Sequence, residues 1–351
     1  VSRLLVAQRA LTVPAWAKDF LWRRARAVPS LDLRFADNKS LIDAVTGQQL
    51  VTITRSSSGT FVDSAGTPQT AATNEPRFDH NPTTGESLGL LVEEARTNLL
   101  LNSGTLSTQS ATVTAVAHTL HFTGTGTITL TGVSTAGPLV GTGTGEANRV
   151  SLTFTPTAGS LTLTVSGTVT NAQLEAGAFR TSYIATTGAT ATRAADVVDI
   201  TGSAFSSWFR QDEGTMFVDG STPAFTATTG FVAINPVANN NRLEIRQGRI
   251  NPTVTGATTS VIWTQIIAPP ALVANTSYKQ AVAFSSASHG NSIAGALDTS
   301  STVIPVIAAT RLMFGVRDSQ TAPIGGFSST IRRFTFWTQR LPNPTLQSIT
   351  L

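Results

Sequence analysis

Between Asn102 and Tyr183, short runs of Thr, Val, Leu and Ile are broken by glycine-rich turns. A turn about every ten residues is too short a rhythm for helices and suits the strands of an antiparallel sandwich. The runs are Ala111 to Ala117, Thr119 to Phe122, Thr127 to Leu130, Arg149 to Phe154 and Leu161 to Val165. The Gly-Thr repeats at 124–127 and 141–145 never complete a G-x-G-x-x-G before a helix, so they read as strand edges and turns, not phosphate loops. Composition agrees: 13% of residues are charged, against roughly 25% in ordinary soluble proteins, and β-branched residues are abundant.

A chain of 351 residues has room for two or three domains of about 100 to 150 residues, each with its own core. Cysteine is absent, which excludes disulfides and thiolate metal sites and leaves packing, and expected subunit association, to hold the fold. No apolar run reaches the 18 or so residues of a membrane helix, so no membrane span is expected. The first 17 residues faintly resemble a signal peptide ending Ala15-Trp16-Ala17, but Gln8 and Arg9 interrupt the apolar stretch and weigh against it. Residues 1–30 hold six basic residues against Asp19, +5 net, which leaves −1 for the rest of the chain.

This basic arm also carries the one helical pattern. Pro14 fits a first helical turn, and Ala15 to Ala27 then runs free of proline and glycine. Trp16 and Phe20 are four apart and share a face, with Leu21, Trp22, Arg23, Arg24 and Arg26 following. So short a helix is ordered only when docked. These residues read as an arm that attaches the chain to a larger particle or trimerises it; the other reading is a helix capping its own domain. An aromatic and basic mixture also fits an anionic lipid or nucleic acid, but one short element is weak evidence, and no nucleic-acid partner is expected.

Residues 31–101 read as a small β module. Leu31 to Phe35 alternates apolar and polar residues, and Val51 to Arg55 and Thr60 to Val62 continue around a Ser-Ser-Ser-Gly turn. Asn74 to Leu100 then contains Asn81-Pro82-Thr83-Thr84-Gly85, a tight turn, and Leu88 to Val92, an apolar run of buried-strand length. The text Pro76-Arg77-Phe78-Asp79, Thr84-Gly85-Glu86 and Gly89-Leu90-Leu91-Val92-Glu93-Glu94-Ala95-Arg96-Thr97-Asn98-Leu99-Leu100 resembles a signature of bacteriophage virion proteins, chiefly tail fibres, spikes and decoration proteins.

The later segments carry their own resemblances. Residues 102–184 close on Gln173-Leu174-Glu175-Ala176-Gly177 and Thr181-Ser182-Tyr183-Ile184, similar to the end of carbohydrate-binding-module-like jelly rolls. Residues 185–204 read as a linker. Residues 205–351 finish on Gly326 to Trp337 and Arg340-Leu341-Pro342-Asn343-Pro344-Thr345-Leu346, similar to the last strand and short helix of concanavalin A-like, laminin-G-type jelly rolls, with Pro344 expected to shorten that helix. Fold class is therefore mainly β: a short helical arm, a small β module and two antiparallel jelly-roll sandwiches.

No constellation points to catalysis. Gly85-Glu86-Ser87-Leu88-Gly89 spells G-x-S-x-G, but a nucleophile elbow needs a strand before the serine and a helix after it, and here a β-run follows. Glu93 and Glu94 are neighbours on a strand and diverge, as do Asp196 and Asp199; Asp212 and Glu213 sit beside a turn glycine. His118 and His121 diverge on one strand, while His80 and His289 read as solitary loop residues, so no metal and no cofactor is expected. The candidate glycan contacts are Trp208, the loop Asn239, Asn240 and Asn241, and His289 with Asn291, since sugar sites combine an aromatic face with planar polar side chains. Trp263 and Trp337 read as core. The resemblance implies a non-enzymatic virion-surface protein, trimeric, attached by its arm to a capsid, collar or baseplate partner. It would bind host-surface polysaccharide or, alternatively, act as a purely structural decoration protein; a polysaccharide depolymerase is the remaining option.

Overall fold

The computed structural model describes residues 15–223, 230–235, 242–246, 249–253, 273–300, 308–315 and 328–351. It is mainly β, with antiparallel pairing throughout the described ladders and a few short helices, among them Phe20–Ala25 and Asn343–Thr350.

The larger sandwich is assembled from both halves of the sequence. One sheet runs, strand by strand, Ala296–Ser300, His289–Ile293, Tyr278–Phe284, Gly214–Ser221, Ser328–Trp337, Ser87–Glu93, Phe78–His80. Ser328–Trp337 is ten residues long, and its outer edge is shared by two short partners end to end. Ser328 to Ile331 pair with Glu93 to Leu90, and Phe334 to Phe336 pair with Leu33 to Leu31. The facing sheet runs Thr52–Thr54, Val197–Thr201, Arg311–Phe314, Gly230–Asn235, Arg242–Arg246, Arg249–Thr253. Leu31, Leu33, Phe35, Leu90 and Val92 share one core with Ile200, Met216, Phe231, Phe314, Phe334 and Phe336. Residues 31–101 are thus not a separate module; they supply strands to the C-terminal sandwich, pairing along one edge of its long last strand.

The segment 185–204 likewise is not a free linker. Ala191–Arg193 pairs with Arg96–Asn98, and Val197–Thr201 is an interior strand held by Thr52–Thr54 on one side and Arg311–Phe314 on the other. Val198 and Ile200 alternate into the core, as a period of two requires.

Residues 102–184 form a second sandwich inserted into the first. Its sheets are Leu139–Val140, Thr127–Gly132, Gly159–Ser166, Gln109–Val113 and Val150–Phe154, His118–Gly124, Val169–Ala176. Its core of Leu120, Phe122, Ile128, Leu130, Leu161, Leu163 and Leu174 is separate from that of the larger sandwich. The Gly-Thr repeats lie at strand ends, where Gly124 and Gly143 exchange backbone hydrogen bonds of 2.7 and 3.0 Å.

The arm packs on its own body. Asp19 caps the helix Phe20–Ala25, accepting from the amides of Leu21 and Trp22 at 2.9 and 3.1 Å. Leu21, Trp22, Ala25 and Ala27 bury against Phe217, Ala281, Ala283, Trp337, Leu346 and Ile349, at about 1.5–3 kcal/mol for each large side chain. The Trp22 indole donates to buried Asp32 at 3.0 Å, and Arg333 grips both Asp32 and Asp19. Of the expected attachment residues, Leu21 and Trp22 are therefore interior, Arg24 is half-buried, and Phe20, Arg23 and Arg26 face outward. Trp16 lies on a 3-10 turn, Ala15–Lys18. The last helix, Asn343–Thr350, forms with Pro344 in its first turn, where a missing N–H costs nothing.

Candidate functional site

The expected glycan contacts do not assemble. Trp208 is 3% exposed and packs edge-on to Phe205 and Phe336, with ring centroids 5.1 Å away in both cases. An indole this apolar on every side is drawn inward, so the exposed-platform reading is wrong. His289 and Asn291 are buried on the strand His289–Ile293, and His80 is buried on Phe78–His80, so neither histidine is a loop residue. Asn239, Asn240, Asn241 and Trp263 lie outside the described residues. Trp337 is core, at 0% exposure.

What the structure brings together instead is the junction of the two sandwiches, through the signature residues themselves. Arg77 is fully buried and donates to Glu93 at 2.7 Å, to the Ser182 hydroxyl at 2.8 Å, to the Thr60 carbonyl at 2.9 Å, and to Asp196. Arg55 meets the other oxygen of Asp196 at 2.9 Å, and Arg193 lies 3.3 Å from Glu93. Glu93 also accepts from the Ser182 amide and hydroxyl, at 2.8 and 2.6 Å. Burial alone would raise the Glu93 pKa, but Arg193 and Arg77 outweigh it and hold the carboxyl down at about 2. Asn98 extends the junction, donating to the carbonyls of Ala172 at 3.0 Å and Ile184 at 2.8 Å.

Two glycines of the recognised motifs make these contacts fit. Gly89 has φ +90°, and a Cβ there would strike the Ile331 carbonyl of the paired strand. Gly177 has φ +142°, and a Cβ there would occupy the space of the Arg96 guanidinium. The G-x-S-x-G text is thus explained by strand approach. Ser87 lies opposite His80 in the register, with no hydrogen bond between their side chains, and its Oγ is buried. The His80 Nδ1 is engaged by the Val62 carbonyl at 2.9 Å.

Beside this clasp opens a cleft of about 520 Å³ between the sandwiches. One wall carries Phe61, Asp79, His80 and Leu88 from the larger sandwich, and the other carries Glu146, Arg149, Arg180 and Tyr183 from the inserted one. Arg149 is held by Glu146 at 2.5 and 2.6 Å, donates to His121 Nδ1 at 3.0 Å, and lies 5.6 Å over the Tyr183 ring. Burial lowers the His121 pKa, against the pull of Glu175 at 3.3 Å. Asp79 accepts from the Val62 amide at 2.7 Å, and burial lifts its pKa to about 6. Arg180 is exposed and lines the cleft, where desolvation by the cleft walls and then the nearby charge of Arg149 lower its pKa.

None of these cleft residues was expected as a site. Asp79 and Tyr183 belong to the two motifs that the sequence marks, but their convergence depends on the insertion topology, which no local pattern encodes. Among the described residues no group of three or more His, Asp or Glu is placed to hold a metal ion, and no helix is long and apolar enough to cross a membrane.

No protein family description matches the chain, and no curated protein matches it. Among solved structures, the botulinum neurotoxin type G receptor-binding domain aligns at 12% identity over 43% of this chain and 38% of that one, with a TM-score of 0.30. Trypanosoma rangeli sialidase in complex with sialic acid aligns at 9% identity over 44% of this chain and 26% of that one, with a TM-score of 0.31. The chain therefore spans well under half the length of these matched structures.

Proposed function

We propose that this protein is a non-catalytic virion-surface component that binds host-surface saccharide in the cleft between its two sandwiches. The observation that carries the binding reading is the cleft: about 520 Å³, with Phe61 and Tyr183 as ring surfaces and Asp79, His80, Arg149 and Arg180 as polar groups on facing walls. An apolar face with a few convergent polar groups is what a saccharide ring needs. The virion reading is supported by the signature around Arg77 and Glu93, whose residues form the buried clasp. Attachment to a capsid, collar or baseplate partner would fall to the outward residues Phe20, Arg23 and Arg26, and a homotrimer would close a repeated site on the particle.

Binding without cleavage is supported by the state of Glu93. It borders the cleft, yet both its oxygens are already engaged by Arg77, Ser182 and Ser328, which leaves it no freedom to act on a ligand. The experiment is a titration of surface oligosaccharides of the host against the whole protein and against Tyr183→Ala and Phe61→Ala. Saturable binding weakened at least about tenfold in both variants is expected. Release of shorter saccharides from the polymer would overturn the non-catalytic reading. The clasp equally suits a rigid brace with no ligand, and imaging that places the cleft against a neighbouring virion protein would favour that second reading.

A further inference from the structure

We infer that the saccharide taken by this cleft is acidic, and that Arg180 is the residue that receives its carboxylate. This deepens the proposed function and rests on the cleft being a saccharide site. The arginines around the junction share a pattern from which Arg180 departs. Arg55, Arg77 and Arg193 are ion-paired with Asp196 and Glu93, Arg96 with Glu94, and Arg149 with Glu146. No hydrogen bond or ion pair reaches the Arg180 guanidinium among the described residues. Its side chain is exposed and lines the cleft, with Arg149 as a nearby like charge.

The acidic groups within its reach are committed elsewhere. Glu146 is held in a two-point contact by Arg149, at 2.5 and 2.6 Å. Asp79 is anchored by the Val62 amide at 2.7 Å. Arg180 therefore stands as an exposed cation on the cleft wall, with five donors and no acceptor from the described residues. A guanidinium fork of this kind fits a carboxylate in two parallel hydrogen bonds, which a neutral hydroxyl does not match. The ring of the same sugar would lie against Tyr183 or Phe61, since both line the same cleft. Uronic acids and nonulosonic acids share this chemistry, a carboxylate attached directly to the sugar ring.

Two pairs of probes test the inference. One pair is an oligogalacturonate and its carboxyl-reduced neutral counterpart; the other is a sialyl-terminated oligosaccharide and the same chain without its terminal sugar. Calorimetric titration of the whole protein is expected to give at least about tenfold tighter binding to the acidic member of one pair. Arg180→Gln should abolish that preference, and Arg180→Lys, which keeps charge but loses the fork, should retain only part of it. Unchanged melting would show that the variants are folded. Equal affinity for acidic and neutral members, or a preference that survives Arg180→Gln, overturns the acidic assignment and leaves the saccharide reading standing. No binding of any of the four probes overturns both.

Discussion

Replacing Asp79 with Asn should make the protein more stable at neutral pH and remove a particular piece of its pH dependence. Asp79 borders the cleft, and burial lifts its carboxyl from 3.8 to about 6, with the Glu93 charge adding to the lift and Arg77 opposing it. The unfolded chain gives up this proton near 3.8, whereas the folded chain keeps it until about 6. Between those values the native state binds the extra proton, so stability falls as pH rises through the window. At about 1.36 kcal/mol per pH unit, the gap from 3.8 to about 6 is worth about 3 kcal/mol, fully lost above about pH 7. Asparagine keeps the oxygen that accepts from the Val62 amide and carries no charge to desolvate.

The assay is urea denaturation of both proteins at steps from about pH 4 to about pH 8, read as the difference between them. Groups that titrate alike in the two proteins cancel in that difference. Glu93, the nearest coupled carboxyl, titrates near 2 and stays ionised throughout the range. The variant should gain on the wild type by about 2.4 kcal/mol of that gap between pH 4 and pH 7 and by almost nothing above it. Parallel stability curves across that range would refute the reasoning, because they would mean that Asp79 is as well solvated in the fold as in the unfolded chain.

Arg77→Met should destabilise the protein by about 3–5 kcal/mol in the same assay, since it leaves Glu93 and Asp196 short of their shared partner in a dry site. It should also weaken saccharide binding, although Arg77 does not border the cleft, and a loss of stability with affinity intact would separate the clasp from the cleft. Trp22→Ala should cost about 3–5 kcal/mol through the cavity and the lost bond to Asp32, and a cost below about 1 kcal/mol would show that the arm does not lean on the body.

The strands were legible because they obey a period of two. Thr127 to Leu130 and Leu161 to Val165 are found within the strands Thr127–Gly132 and Gly159–Ser166, and Trp337 is core as its apolar neighbours imply. Pairing was not legible. Nothing local in Leu88 to Val92 states that its partner is Ser328 to Ile331, more than two hundred positions away, since any exposed edge of matching length would serve. The misplaced site residues follow the same rule. Residue type alone makes Trp208 a platform candidate, but its burial is set by Phe205, Phe209 and Phe336, which meet only in the folded sandwich. Arg77, Glu93 and Ser182 stood in marked motifs, but their role is to find one another across the insertion.

That insertion explains why buried charge is tolerated at the junction at all. The chain leaves the larger sandwich near Asn98 and returns near Ala191, and these two crossings pair side by side, leaving the inserted sandwich a natural pivot. Apolar contacts alone would let it rock, because they are non-directional. The clasp fixes direction: Ser182 from the inserted sandwich is bonded at both its amide and its hydroxyl to Glu93 of the larger one, and Thr60 reaches back to the Tyr183 carbonyl at 2.7 Å. Ser182 and Tyr183 also line the cleft, so the contacts that set the angle between the sandwiches also set the distance between the cleft walls. A ligand that spans both walls then meets groups already held in place, and its binding spends little on ordering them. In the proposed binding role, Arg77 would thus serve without touching the ligand, as part of the clasp that holds two independently cored sandwiches in one arrangement.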